Sequence, residues 1–141
     1  MVLTYAQGMD QLRLASQAYS YNLDLAVIAR IWRGGCIIRS VLLEPIRKAF
    51  TKQPALENLL LDDALGKSVV DGTASLRSVV QTAVTLGIPA PAYMASLSYA
   101  ESLRTGHLPA NLIQAQRDEF GAHTYERTDR EGTFHTDWMP D

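Results

Sequence analysis

Two side chains near the C-terminal end of the sequence have types and spacing suited to one chemical task, the holding of an anion. Arg117 and His123 flank Gly121 in the stretch LIQAQRDEFGAHTY, residues 112 to 125. An arginine guanidinium is a planar fork of donors that matches two oxygens of a phosphate. A histidine beside a phosphate dianion is biased toward its charged, two-donor form. Such a pair grips a ligand without doing chemistry on it. In an uninterrupted helix each residue turns about 100°, so six steps leave the two side chains about 240° apart. They can share a ligand only if the helix ends between them. Gly121 is expected to supply that break by taking a left-handed C-cap conformation, which swings His123 back toward whatever Arg117 reaches. Read from spacing alone, this pattern is most often a surface ion pair plus a helix-terminal cation, and that alternative stands beside the phosphate reading. Gln114 and Gln116 are read as hydrogen-bonding or packing residues, not ligands.

Other chemistry-bearing residues carry less. Arg33, Gly34, Gly35 and Cys36 could form an anion-binding helix start, though a tight turn with a solvated arginine is the commoner arrangement. Cys36 reads as a small core residue. Asp62 and Asp63 look like a carboxylate pair, but after Leu59–Leu61 they are better placed to end one helix and cap the next. His107 and His135 lack metal-type spacing to any Cys, Asp or Glu cluster and read as a loop histidine and a tail-docking histidine. Trp32, Phe134 and Trp138 read as packing anchors. No residue is assigned a catalytic, cofactor-binding or metal-binding role.

The elements that must position these groups read as helices. The chain has 141 residues, 47% of them apolar, enough for one compact domain without staples. The formal charge of −2 argues against a nucleic-acid binder. The lone cysteine excludes an internal disulfide and makes a reducing, cytoplasmic setting the default. Neither a signal peptide nor a membrane span is expected. In the first segment Tyr5, Met9, Leu12 and Ser16 share a face, with Asp10 and Arg13 toward water. Asn22 is the expected N-cap of LDLAVIARIW, a segment apolar enough to be buried on most sides. After Gly34-Gly35 the pattern resumes, with Ile37, Val41 and Leu42 inward and Pro45 kinking or restarting the helix. A long helix is expected from Asp63 to Leu86, with Gly72 a candidate break and Gly87 the C-cap. Two more helices follow, one ending at Gly106 and one starting at Pro109. No strand alternation is visible. The polar tail from Ala122, with Tyr125, Phe134 and Trp138 spaced along it, reads as an arm that docks on another surface.

WRGGCIIRS (32–40), NLLLDD (58–63), GIPAPAY (87–93), LPANLIQAQRDEFGAHTYER (108–127) and FHTDW (134–138) occur in the order seen in 6-phosphogluconate dehydrogenase, and YAQGMDQLRLAS near the start resembles the same family. The resemblance spans essentially the whole chain, but only the C-terminal part of that enzyme: the second copy of its duplicated helical unit, plus the tail. The family's dinucleotide-binding domain has no counterpart here, and neither has the segment that carries its acid–base lysine and glutamate.

The resemblance implies an all-α fold, a multi-helix bundle of about six to eight helices with an extended C-terminal tail. Residues 1–121 would form the helical domain and 122–141 a tail docked on the partner subunit of a homodimer. The implied function is the C-terminal part of an NADP-dependent 6-phosphogluconate dehydrogenase of the pentose phosphate pathway, which oxidatively decarboxylates 6-phosphogluconate to ribulose 5-phosphate. In that family the arginine and histidine matching Arg117 and His123 reach into the partner's active site and hold the substrate phosphate. The isolated chain is expected to be inactive and to bind no cofactor itself, NADP belonging to the full-length enzyme. The alternative is a stand-alone, non-catalytic helical dimerisation module.

Overall fold

A computed structural model describes residues 1–34 and 40–139. They form six α-helices: α1 (Val2–Ala18), α2 (Leu25–Ile31), α3 (Leu43–Lys52), α4 (Asp63–Thr85), α5 (Pro91–Arg104) and α6 (Asn111–Gly121). A 3-10 turn, Leu59–Leu61, precedes α4. The fold is all-α in substance. The expectation of no strand at all is corrected by a two-residue antiparallel ladder, β1 (Tyr125–Glu126) with β2 (Thr133–Phe134), which pairs Tyr125 with Phe134 and Glu126 with Thr133. Two residues per strand leave no room for the alternation by which strands are recognised.

The chain divides into two compact units, Met1–Glu101 and Ser102–Asp141. The core of the first gathers Ala6 and Met9 of α1, Leu25 and Ala29 of α2, Ile46, Ala49 and Phe50 of α3, Leu56 and Leu59, and Leu65 of α4. Small residues at positions 6, 29 and 49 let the helices approach closely, and Met9 and Ile46 fill the space between them. Asn58 is buried with both ends of its amide engaged: its Oδ1 accepts from the Leu60 N–H at 3.0 Å and its Nδ2 donates to the Tyr99 hydroxyl at 2.8 Å.

Several local expectations are corrected. Asp24, not Asn22, caps α2, its Oδ1 accepting from the N–H groups of Ala26 and Val27; Asn22 instead takes a left-handed conformation in the preceding turn. The α2 segment buries only Leu25 and Ala29, while Ile31 and Trp32 are exposed. Val41 points to solvent because α3 starts only at Leu43, with Pro45 in the first turn where no N–H is needed. Arg33 pairs with Glu44 rather than standing solvated alone. The readings of Gly35, Cys36 and Ile37 fall outside the described residues.

Other expectations match. Asp62 caps α4 through the N–H groups of Ala64 and Leu65. Gly87 adopts φ +66° in a Schellman closure, with Ile88 N–H donating to Ala83 C=O at 2.8 Å. The break considered at Gly72 is, by contrast, corrected: α4 runs unbroken from Asp63 to Thr85, since a single glycine costs a helix of this length only about 1 kcal/mol. No helix among the described residues is long and apolar enough to cross a membrane.

Two glycines of α4 make opposite demands. A Cβ on Gly66 would collide with the backbone carbonyl of Leu60, whereas a Cβ on Gly72 would meet nothing within 4 Å. Gly66→Ala is therefore expected to destabilise the chain by about 1–3 kcal/mol, as overpacking against rigid backbone does. Gly72→Ala is expected to stabilise it by about 0.5–1 kcal/mol through helix propensity. Thermal melts followed by circular dichroism check both; equal shifts in the two variants would refute the close approach at Gly66.

Candidate functional site

Arg117 and His123 both lie in the second unit, on and just beyond α6. The helix ends in an αL cap, but the left-handed residue is Ala122 (φ 49°, ψ 40°), whose N–H donates to the Asp118 carbonyl at 2.8 Å. Gly121 is the last helical residue and its φ is not positive. The expectation that Gly121 itself takes the left-handed conformation is thus corrected by one residue. The break it was meant to supply is present all the same. The His123 N–H donates to the Arg117 carbonyl at 3.4 Å, and the His123 ring folds back over Gly121. A Cβ on Gly121 would sit 3.0 Å from His123 Nε2 and 3.2 Å from Cδ2.

That ring position turns His123 back along α6, toward the side of the helix that carries Arg117. Gly121 is four residues after Arg117 and so shares its helix face, one turn along. The imidazole occupies the place a side chain at 121 would fill. It therefore stands one turn from Arg117 on the same face instead of 240° around the helix. Both side chains are exposed. Arg117 makes no ion pair among the described residues; its Nη1 donates only a long hydrogen bond, 3.4 Å, to Gln114 Oε1.

The turn that returns His123 is strained and held from α6. Ala122 and Thr124 both have positive φ, at 49° and 62°, where a Cβ is disfavoured. Gln114 Nε2 donates to the Thr124 carbonyl and Asp118 Oδ1 accepts from the Thr124 N–H at 2.9 Å. Gln114 thus spends its amide on both halves of the site, its oxygen toward Arg117 and its nitrogen toward the turn after His123.

Asp118 is the residue that sequence reasoning missed. It is wholly buried, 0% exposed, within a segment whose neighbours are mostly exposed. Besides Thr124, its carboxylate receives His135 Nδ1 at 2.9 Å, the Thr136 N–H at 2.9 Å and the Trp138 indole N–H at 3.0 Å. Because a carboxylate only accepts, His135 must carry its hydrogen on Nδ1. Burial pushes the Asp118 carboxyl up, but the bonds from His135, Thr136 and Trp138, with the nearby imidazole charge, prevail and bring its pKa down to about 2. His135 does tie down the tail, as its reading anticipated, and the surface it docks on is α6 of its own chain. Trp138 serves as a hydrogen-bonded anchor more than an apolar one. The sequence did hold a faint signal: a helical aspartate with no cation three or four residues away.

The tail adds a Tyr125 hydroxyl contact to Thr136 Oγ1 at 2.6 Å and a bidentate Arg127–Asp129 pair. Arg130 lies over the Phe134 ring at 4.4 Å. A cleft of about 470 Å³ opens among His107, Asn111, Gln114, Tyr125, Arg127 and Trp138, and neither Arg117 nor His123 lines it. Among the described residues no three His, Cys, Asp or Glu side chains are grouped to hold a metal.

Comparison with known proteins identifies the family. Residues 1–138 match the profile described as 6-phosphogluconate dehydrogenase, C-terminal domain. The chain belongs to the 6-phosphogluconate dehydrogenase family. It is similar to the NADP(+)-dependent, decarboxylating 6-phosphogluconate dehydrogenase of Bacillus subtilis, 51% identical over 98% of this chain and 29% of that protein. It is also similar to the chloroplastic decarboxylating enzyme 1 of Arabidopsis thaliana, 52% identical over 97% of this chain and 28% of that one. A solved structure of the Plasmodium falciparum 6-phosphogluconate dehydrogenase superimposes with a TM-score of 0.87 at 47% identity, covering 97% of this chain and 29% of that one. The chain thus corresponds to the C-terminal domain of 6-phosphogluconate dehydrogenase and spans less than a third of these relatives.

The Asp118 cluster has a pH signature. Its folded pKa of about 2 lies below the roughly 3.9 of an unfolded aspartate. The stability it contributes is therefore fully present above about pH 4 and is lost as pH falls toward 2. In a Trp32→Phe background, which leaves Trp138 as the only indole, emission is expected to shift to the red across that window. Asp118→Ala is expected to show the shifted emission already at pH 7. Emission that is unchanged down to pH 2, or identical in the two proteins at neutral pH, would refute the tie between Asp118 and Trp138.

Proposed function

We propose that this chain supplies the substrate-phosphate grip of a decarboxylating, NADP-dependent 6-phosphogluconate dehydrogenase, the enzyme that converts 6-phosphogluconate to ribulose 5-phosphate in the cytoplasm. Arg117 would bind two phosphate oxygens with its fork and His123 a third through Nε2–H. The observation that supports this reading is the placement of the His123 ring over Gly121, one turn from Arg117 on one exposed face. A surface ion pair plus a helix-terminal cation, the bland alternative, fits less well. Arg117 has no acidic partner among the described residues, so its guanidinium fork is open to an anion.

The remaining parts of the pocket, the nicotinamide site and the acid–base pair would come from the portion of such an enzyme that the relatives have and this chain does not span. Two copies would associate, with α6 and the tail of each facing its partner's pocket. Leu112, Ile113 and Phe120 on α6 are all largely exposed in the single chain, as a surface awaiting a cover would be. The chain alone is expected not to reduce NADP in the presence of 6-phosphogluconate.

The test places this chain behind the N-terminal portion of the Bacillus subtilis relative, so that its residues 1–138 replace the matching segment. Each charge-assisted hydrogen bond is worth about 1.5–3 kcal/mol and each 1.4 kcal/mol is tenfold in affinity. Arg117→Ala is expected to weaken 6-phosphogluconate binding by at least about tenfold, and His123→Ala by less, while NADP binding hardly moves. If substrate and cofactor weaken equally, or neither does, Arg117 is structural and the proposal fails.

A further inference from the structure

We propose that Gly121 is a positioning residue for the phosphate grip: its bare Cα is the seat on which the His123 imidazole rests, and no residue with a Cβ can take its place without moving that ring. The inference rests on the reading of Arg117 and His123 as phosphate ligands.

A glycine at a helix end ordinarily serves the backbone, by accepting a left-handed conformation. Gly121 does not. Its φ is not positive, and the left-handed position is filled by an alanine. Nor does the glycine admit another stretch of backbone, as Gly66 admits the Leu60 carbonyl. The three heavy atoms nearest to a Cβ at 121 all belong to the His123 ring: Nε2 at 3.0 Å, Cδ2 at 3.2 Å and Cε1 at 3.8 Å. The first two are tighter than nearly all real Cβ contacts, and the ring would have to give way by a few tenths of an ångström. What the missing methyl permits is therefore specific to one side chain, and the atom it crowds most is the ring nitrogen that would face a ligand.

The backbone around the seat cannot adjust to compensate. Thr124 is held through its N–H by the buried Asp118 carboxylate and through its C=O by Gln114, so residues 122–124 are fixed to α6 from both sides. With the backbone pinned, a methyl at 121 must be accommodated by turning His123 about its own side-chain bonds. That shifts Nε2 relative to Arg117, and a charge-assisted hydrogen bond is sensitive to such a shift. Helix propensity alone argues the other way, since alanine is favoured over glycine at helical φ and ψ. A purely structural role for Gly121 thus predicts that Gly121→Ala is neutral or stabilising and leaves ligand binding untouched.

The experiment has two readouts. In the 141-residue chain, carbon-13 and proton NMR of the His123 ring is recorded for the parent and for Gly121→Ala. The parent is expected to show ring-proton contacts with the Gly121 Hα protons, and the variant to have shifted ring resonances with helix content and melting temperature no lower than the parent's. In the spliced dehydrogenase, Gly121→Ala is expected to raise KM for 6-phosphogluconate by up to about tenfold, the loss of one charge-assisted hydrogen bond, with kcat little changed. It is expected to add nothing in a His123→Ala background, because the ring it displaces is gone. An unchanged KM in Gly121→Ala while His123→Ala raises it overturns the seat and leaves the phosphate reading standing. An unchanged KM in His123→Ala overturns both. Should Gly121→Ala fail to fold, the Gly121→Ala/His123→Ala double variant decides. Recovery of the fold there confirms that the ring was the obstacle, and a second failure gives the glycine a backbone role and refutes the proposal.

Discussion

A buried carboxylate with four donors holds the C-terminal unit together. Asp118 projects from α6 into a position closed off from solvent, where an unpaired charge would cost several kcal/mol. The cost is offset because every donor comes from chain that would otherwise be loose. The Thr124 N–H comes from the turn after the helix, and His135 Nδ1, the Thr136 N–H and the Trp138 indole come from the tail. A helix of eleven residues and a polar tail have too little apolar surface to fold on each other by burial alone. One ionised group, satisfied on both oxygens, substitutes for the core they lack. The low pKa expresses the same balance, since the donors all prefer the charged form.

From that tie follows the shape of the candidate site. Two non-glycine residues, Ala122 and Thr124, stay in left-handed conformations because the hydrogen bonds that Thr124 donates to Asp118 and accepts from Gln114 over-determine the turn. The turn throws His123 back along the helix, and Gly121 leaves the room its ring needs. The site is thus assembled from the outside in. Tail docking fixes the turn, the turn fixes the imidazole, and the imidazole joins Arg117 on one face. Neither exposed residue is buried or paired enough to be positioned by its own contacts.

How much of this was readable in the residues differs from element to element. Helix identity was readable wherever a 3.6-residue apolar pattern met a strong terminator, as at Asp62 and Gly87. The cap of α2 was misplaced because Asn22 and Asp24 are both good capping residues two positions apart, and only the backbone conformation distinguishes them. Val41 was misplaced because periodicity was carried across a stretch that is not helical at that position. Arg117 and His123 were singled out by the order of motifs, and the need for a break between them by simple helix geometry. The mechanism of the break was not. The left-handed residue is an alanine that local propensity disfavours, stabilised by partners that are not its sequence neighbours. Asp118 left only a faint trace for the same reason. Its donors lie between six and twenty residues downstream, and no rule of local spacing connects a mid-helix aspartate to an indole in a tail.

The most direct test is hydrogen exchange at three donors of Asp118. The account predicts that the Thr124 N–H, the Thr136 N–H and the Trp138 indole N–H of the 141-residue chain are all protected at neutral pH. It further predicts that they lose protection together in Asp118→Ala while the amides of α4 keep theirs, since one acceptor holds all three. Exchange of these hydrogens at the rate of a free loop in the parent chain would contradict it, as would independent rates that Asp118→Ala leaves unchanged.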